Sequence, residues 1–155
     1  MNKNLLTVLL FAITFIGFAQ APSINWVTLD QALAMQKKSG KKAKPIFMDV
    51  YTEWCGPCKL LDKTTFVDSE VIEKINNNYI AVKFNGEGSE EIVYLGKKLA
   101  NPNYNPSRKG RNATHQLTDF LELQGYPSLF ILDKSGKKEK IIVGYKTAKE
   151  LLSEI

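Results

Sequence analysis

The chain has 155 residues, with 21 Lys and Arg against 16 Asp and Glu, two cysteines and one histidine. That length supports one domain with a core of its own, and the mildly basic balance falls in loop-like sequence without a basic helix or aromatic platform, which argues against nucleic-acid binding. Two cysteines and His115 cannot furnish the four ligands of a structural zinc site.

Lys3 is the only charge before an apolar run from Leu5 to Ala19. That run is short for a membrane span and has the length of a signal-peptide core. Gly17 and Ala19 offer the small residues a signal peptidase reads. Residues 1–19 are therefore expected to be a signal peptide cleaved after Ala19, with residues 20–155 as a single exported domain, periplasmic or secreted. An uncleaved anchor is the alternative.

Ile24 to Val27 predicts a short strand, and Thr28 with Gln31 predicts a capping box opening a helix that stops at Ser39-Gly40. Ile46 to Tyr51 is an almost continuous apolar run, as in a buried central strand. Asp49 interrupts it. A carboxylate there is costly unless paired or protonated, and desolvation would raise its pKa; a solvent-facing strand end is the other reading.

The stretch Trp54-Cys55-Gly56-Pro57-Cys58-Lys59 follows and holds both cysteines. A C-x-x-C after a strand and at a helix start suits a dithiol redox site, since the helix N-terminus stabilises the first thiolate. Cys55 is then the exposed nucleophile, and Cys58, one turn deeper, the resolving thiol. Gly56 lets the backbone turn beside the substrate, and Pro57 fits a first turn where its N–H is not missed. A purely structural bridge remains open, although so short a loop constrains the unfolded chain little. Inert buried thiols fit poorly with the flanking Trp and Gly-Pro.

The active-site helix is expected from Gly56 to about Lys63, weakened at Thr64-Thr65, and a second helix from Ser69 to about Ile75 is capped by Asp68. Tyr79 to Phe84, carrying Lys83, predicts the next buried strand. Ser89, Glu90 and Glu91 predict a helix reaching Ala100. Asn101 to Asn112 predicts a mobile surface loop, within which partner contacts or a tolerated insertion are both open. Thr114 is expected to cap the next helix with His115 exposed in its first turn. Gly125-Tyr126-Pro127-Ser128 leads into an apolar strand at 129–132, a turn at 133–136 and a last strand at 138–143. Thr147 and Glu150 predict a capping box for the final helix. Strands and helices in this order give a mixed α/β sheet covered on both faces.

The six residues from Trp54 to Lys59 match the active-site sequence of thioredoxin letter for letter. With Ile46 to Tyr51 before them and Thr65, Phe66, Asp68 and Val71 after, the chain resembles the thioredoxin-like C-terminal domains of membrane thiol:disulfide interchange proteins and their small exported relatives, from about Trp26 to the end. The 85–112 connection is longer than in compact members. The resemblance implies a thioredoxin fold, a buried Asp49 that takes the Cys58 proton through water, Lys83 close to Asp49, and a cis Pro127 facing the cysteines. Trp54, Tyr126 and Pro127 are then expected to line the docking groove. Tyr126 departs from the small aliphatic residue or Thr usual there.

The implied reaction is thiol–disulfide exchange, which needs no metal, flavin or nucleotide. Gly-Pro between the cysteines resembles reducing thioredoxins, whose potential lies about 150 mV below that of the strong periplasmic oxidants, or roughly 7 kcal/mol for two electrons. An exported reductant implies a membrane electron donor, substrates among exported proteins with disulfides, and a monomeric state. A disulfide isomerase or an apocytochrome c reductase would use the same residues. A binding module that captures cysteine-containing peptides without turnover is the alternative of another class.

Overall fold

The computed structural model describes residues 22–155; the expected signal peptide at 1–19 lies outside them. Its centre is a five-stranded sheet in the order β1-β3-β2-β6-β7, with β1 Trp26–Val27, β2 Ile46–Tyr51, β3 Ile80–Asn85, β6 Ser128–Leu132 and β7 Lys138–Val143. β1, β3 and β2 run parallel, while β6 is antiparallel to β2 and β7 to β6. Between β3 and β6 lie a separate two-stranded sheet, β4 Ile92–Tyr94 with β5 Lys97–Leu99, and helix α4 Gln116–Phe120. The other helices are α1 Leu29–Ser39, α2 Gly56–Leu60, α3 Ser69–Asn78 and α5 Ala148–Glu154.

Side chains of a strand alternate between faces, and β2 divides the core accordingly. Ile46, Met48 and Val50 join Leu29, Leu117, Leu121 and Phe130 on the face covered by α1 and α4. Phe47 joins Leu61, Val71, Ile75, Leu129 and Leu151 on the face covered by α3 and α5. By the same alternation Asp49 falls on the Phe47 face, fully buried beside the continuation of α2. Among the described residues no helix is long and apolar enough to cross a membrane.

Local signals account for most boundaries. Thr28 with Gln31 and Thr147 with Glu150 form the expected capping boxes, and Asp68 accepts from the Glu70 and Val71 amides at the start of α3. α3 runs through Asn76-Asn77-Asn78 rather than stopping before them, and β3 starts one residue later than expected, because Tyr79 caps the helix. At Thr64-Thr65 the active-site helix loosens into a π turn over Leu61–Thr65, where the Thr64 hydroxyl donates to the Leu60 carbonyl.

The 85–115 connection corrects two expectations and refines a third. The helix expected from Ser89 to Ala100 is a hairpin. Ile92, Tyr94 and Leu99 are buried whereas Val93, Lys97 and Lys98 face water, and Leu95 and Gly96 both have positive φ, 49° and 79°, which a two-residue turn requires. Tyr94 is fully buried and donates to the Gly136 carbonyl, so the hairpin belongs to the core. His115, expected in solvent, is fully buried and is itself the cap of α4: Nδ1 accepts from the Leu117 amide, and Nε2 lies 2.8 Å from the Glu90 carbonyl. The ring can therefore serve both partners in one neutral tautomer, which explains its burial. Asn101 to Asn112 does lie at the surface, but it is tethered. The Asn101 amide donates to the Gly88 and Ala113 carbonyls, and Asn105 and Asn112 bond each other twice.

Candidate active site

Thr52 begins the turn after β2 by accepting from the Cys55 amide at 3.1 Å. Cys55 then occupies the cap of α2, where its sulfur accepts from the Cys58 amide at 3.1 Å, and Pro57 sits within the first turn. The cysteines are joined as a disulfide with their Cα atoms 5.3 Å apart. Cys55 was expected to be exposed; in this oxidised state it is 2% exposed and Cys58 1%. Its sulfur is drawn into the helix start by that amide and by the bond to Cys58, so of the six residues Trp54 to Lys59 only Gly56, Pro57 and Lys59 are exposed.

The register of β2 on β3 places Asp49 opposite Lys83. Lys83 Nζ lies 2.9 Å from Asp49 Oδ2 and also bonds Asp62, in the π turn after α2. The ammonium sits 5.0–5.5 Å from the ring centres of Trp26, Tyr51 and Phe66. Neither Asp49 oxygen takes a well-aligned hydrogen bond, so the contact with Lys83 is an ion pair by proximity. Burial raises the Asp49 pKa from 3.8 to about 6, against the opposing pull of Lys83, while the Asp62 charge adds to the rise. Burial alone would lower the Lys83 pKa, but Asp49 and Asp62 together hold it raised. The expected nearness of Lys83 and Asp49 is thus present; Asp62 is a third member the sequence did not mark, because its reach depends on the π turn.

On the other side, Trp54 packs edge-on against Tyr126, their ring centres 5.8 Å apart, and the Tyr126–Pro127 bond is cis. Pro127 closes onto the last strand, its carbonyl accepting from the Gly144 amide. Burial pushes the Tyr126 hydroxyl up to about 12, with Glu87 and Asp119 adding to the effect, and the oxygen has no partner. Trp54 Nε1 donates to Glu87 Oε2 at 2.9 Å, and the Arg111 guanidinium lies 4.1 Å over the indole. Sequence reasoning missed Glu87 and Arg111, since they reach Trp54 only through a connection folded back on itself. Among the described residues no cluster of three or more His, Cys, Asp or Glu could hold a metal ion.

A disulfide at a helix start, a buried carboxylate with a raised proton affinity, and an aromatic pair beside a cis proline define a thioredoxin-like thiol:disulfide oxidoreductase. The chain belongs to the thioredoxin-like domain family, whose model matches residues 29–155. It is 27% identical over 154 residues to the thiol:disulfide interchange protein DsbD of Campylobacter jejuni, covering 99% of this chain and 22% of that protein. It is 28% identical over 142 residues to the thioredoxin-like protein YneN of Bacillus subtilis, covering 85% and 74%. The chain spans about a fifth of the length of the DsbD relatives it matches. A proposed disulphide-isomerase from Bacteroides thetaiotaomicron superposes with a TM-score of 0.60 at 28% identity, over 88% of this chain and 93% of that one. The oxidised C-terminal domain of Neisseria meningitidis DsbD shares the fold, with a TM-score of 0.52 at 18% identity over 83% and 95%.

Proposed function

We propose that this protein is an exported reductant of protein disulfides, recharged by an electron donor in the membrane. The observation that carries the reading is the Cys55 sulfur at the cap of α2 within Cys-Gly-Pro-Cys, where the amide of Cys58 is available to a thiolate as it is to the disulfide. Starting from the dithiol, the Cys55 thiolate attacks one sulfur of a substrate disulfide. A Cys55–substrate disulfide forms and one substrate thiolate leaves. Cys58 gives its proton towards Asp49, and its sulfur attacks Cys55 Sγ. The second substrate thiolate leaves, and the two electrons gained by the substrate are those lost in forming the Cys55–Cys58 bond.

An acceptor whose pKa is raised to about 6 takes a proton near neutral pH far more readily than an ordinary carboxylate, which supports Asp49 in that role. Trp54, Gly56, Pro57, Tyr126 and Pro127 form the docking groove in this reading. Export rests on the pattern of residues 1–19, and the donor on the need to restore the dithiol in an oxidising compartment. Cys58→Ser expressed with its leader should accumulate mixed disulfides with envelope proteins, whereas Cys55→Ser should trap almost none. Equal trapping by the two variants would remove the assignment. Intact mass of the envelope form should give Gln20 as the first residue. A reduction potential near that of thioredoxin, with catalytic turnover of insulin by dithiothreitol, would fit a reductant; capture without turnover would point to the binding module.

A further inference from the structure

Glu87 is withdrawn from water, at 8% exposure, yet takes no part in the exchange chemistry. Its Oε2 accepts from Trp54 Nε1 at 2.9 Å and from the Asn112 amide at 2.7 Å, so one oxygen ties the returning end of the connection to the residue before Cys55. Gly86 runs so close to Tyr126 that a Cβ there would collide with its hydroxyl oxygen, and Tyr126 in turn packs on Trp54. The indole is thereby held on its edge, its N–H and one face. That face carries Arg111, adjacent in sequence to the tethered Asn112.

The charge of Glu87 is spent inside this arrangement, whereas Arg111, Arg108 and Lys109 are exposed beside it. An open cleft of about 200 Å³ lies between Glu53, Glu87, Tyr104 and Arg108. Lys59 projects from α2 into solvent, and Glu53 is the one exposed acid lining that cleft. A guanidinium stacked on an indole keeps its N–H edge free, and that edge matches a carboxylate in two parallel hydrogen bonds. Because the stack is already ordered, a substrate need not immobilise it on docking.

We propose that the 85–112 connection builds a cationic docking rim for substrates whose disulfide is flanked by a carboxylate, with Glu87 as the residue that positions Trp54 beneath Arg111. The proposal rests on the exchange reading given above and adds a substrate class to it. Glu87 acts through Trp54 and Arg111 rather than on the sulfur atoms.

The reduced protein is tested with two cystine peptides that differ only in an Asp or a Lys next to the disulfide, each rate being divided by that with neutral bis(2-hydroxyethyl) disulfide. The Asp peptide should be favoured by about fivefold at low salt, the size of one exposed charge pair, and the preference should shrink as salt rises. Arg111→Ser should abolish the preference. Glu87→Ala should abolish it as well and move the Trp54 indole N–H resonance to a solvent-exposed position, with Trp26 as the internal reference. Glu87→Gln, which keeps an acceptor oxygen, should restore both. Equal rates for the two peptides in the native protein, or a preference that survives Arg111→Ser, overturns the proposal. Should Glu87→Ala fail to fold, the Arg111→Ser comparison decides alone. A native protein that reduces none of the three disulfides, the neutral one included, overturns the exchange reading itself and this proposal with it.

Discussion

Asp49 and Glu87 are both carboxylates taken out of water, and they are bonded in opposite ways. Glu87 receives two N–H donors at hydrogen-bond distance. Asp49 receives none in good alignment and shares the Lys83 ammonium with Asp62. A buried anion with its donors in place is a strut, because its charge is answered locally. A buried anion without them keeps an affinity for protons, which is the property a proton acceptor needs. Burial alone therefore does not tell a structural acid from a reactive one; the donors around it do.

The comparison is most easily broken at Asp49. The folded pKa, about 6, lies above the ordinary 3.8, so the folded chain holds this proton more tightly than the unfolded one. Ionisation at neutral pH then costs the fold about 3 kcal/mol at most, a cost relieved as pH falls from above 6 to below 4. Asp49→Asn should therefore raise stability by about 2–3 kcal/mol at pH 8, the pull of Lys83 being already contained in the raised pKa, and by less than about 1 kcal/mol at pH 4. It should also slow resolution of the mixed disulfide near neutral pH. Urea unfolding at the two pH values, with stopped-flow exchange, checks both; a gain equal at pH 4 and 8 would mean that the charge is not its cause.

Glu87 should behave in the reverse manner. Glu87→Ala leaves the Trp54 N–H and the Asn112 amide without their acceptor, at a cost of about 2 kcal/mol, and Glu87→Gln should recover most of it. Chemical denaturation of the three proteins at one pH measures this directly. A smaller effect sharpens the contrast from within the connection. Leu95 has φ +49° and is exposed, so Leu95→Asn places a residue that tolerates this backbone before Gly96 and should stabilise the hairpin by about 0.5 kcal/mol. No change in the thermal midpoint would mean that the turn carries no strain.

The parts of the molecule that were legible in the sequence are those governed by near neighbours. The place of the C-x-x-C after a strand and at a helix start, the strand at 46–51 and three of the helix caps depend on spacings of a few residues and stand as expected, whereas the exposure expected of Cys55 does not. The hairpin at 92–99 is hidden in the sequence because Ser89-Glu90-Glu91 looks like an acidic helix start, while each strand is three residues long and shows too little alternation to compete. Thr114 is the commoner cap, so the local sequence points His115 towards water; only the Glu90 carbonyl, brought over by the connection, satisfies a buried imidazole there. Asp62 and Glu87 carry no local mark at all. Each finds its partner 21 or 33 positions away, across the fold.

The aromatic surround of Lys83 also gives the protein a chemical clock. Acylating reagents attack only the unprotonated amine, and at Lys83 that form is suppressed by two carboxylates and screened by Trp26, Tyr51 and Phe66. Lysines 37, 38, 134 and 137 stand in solvent and take the label first. Peptide mapping after graded acetylation therefore times the opening of the layer between sheet and active-site helix, with Lys83 as the last hand to move.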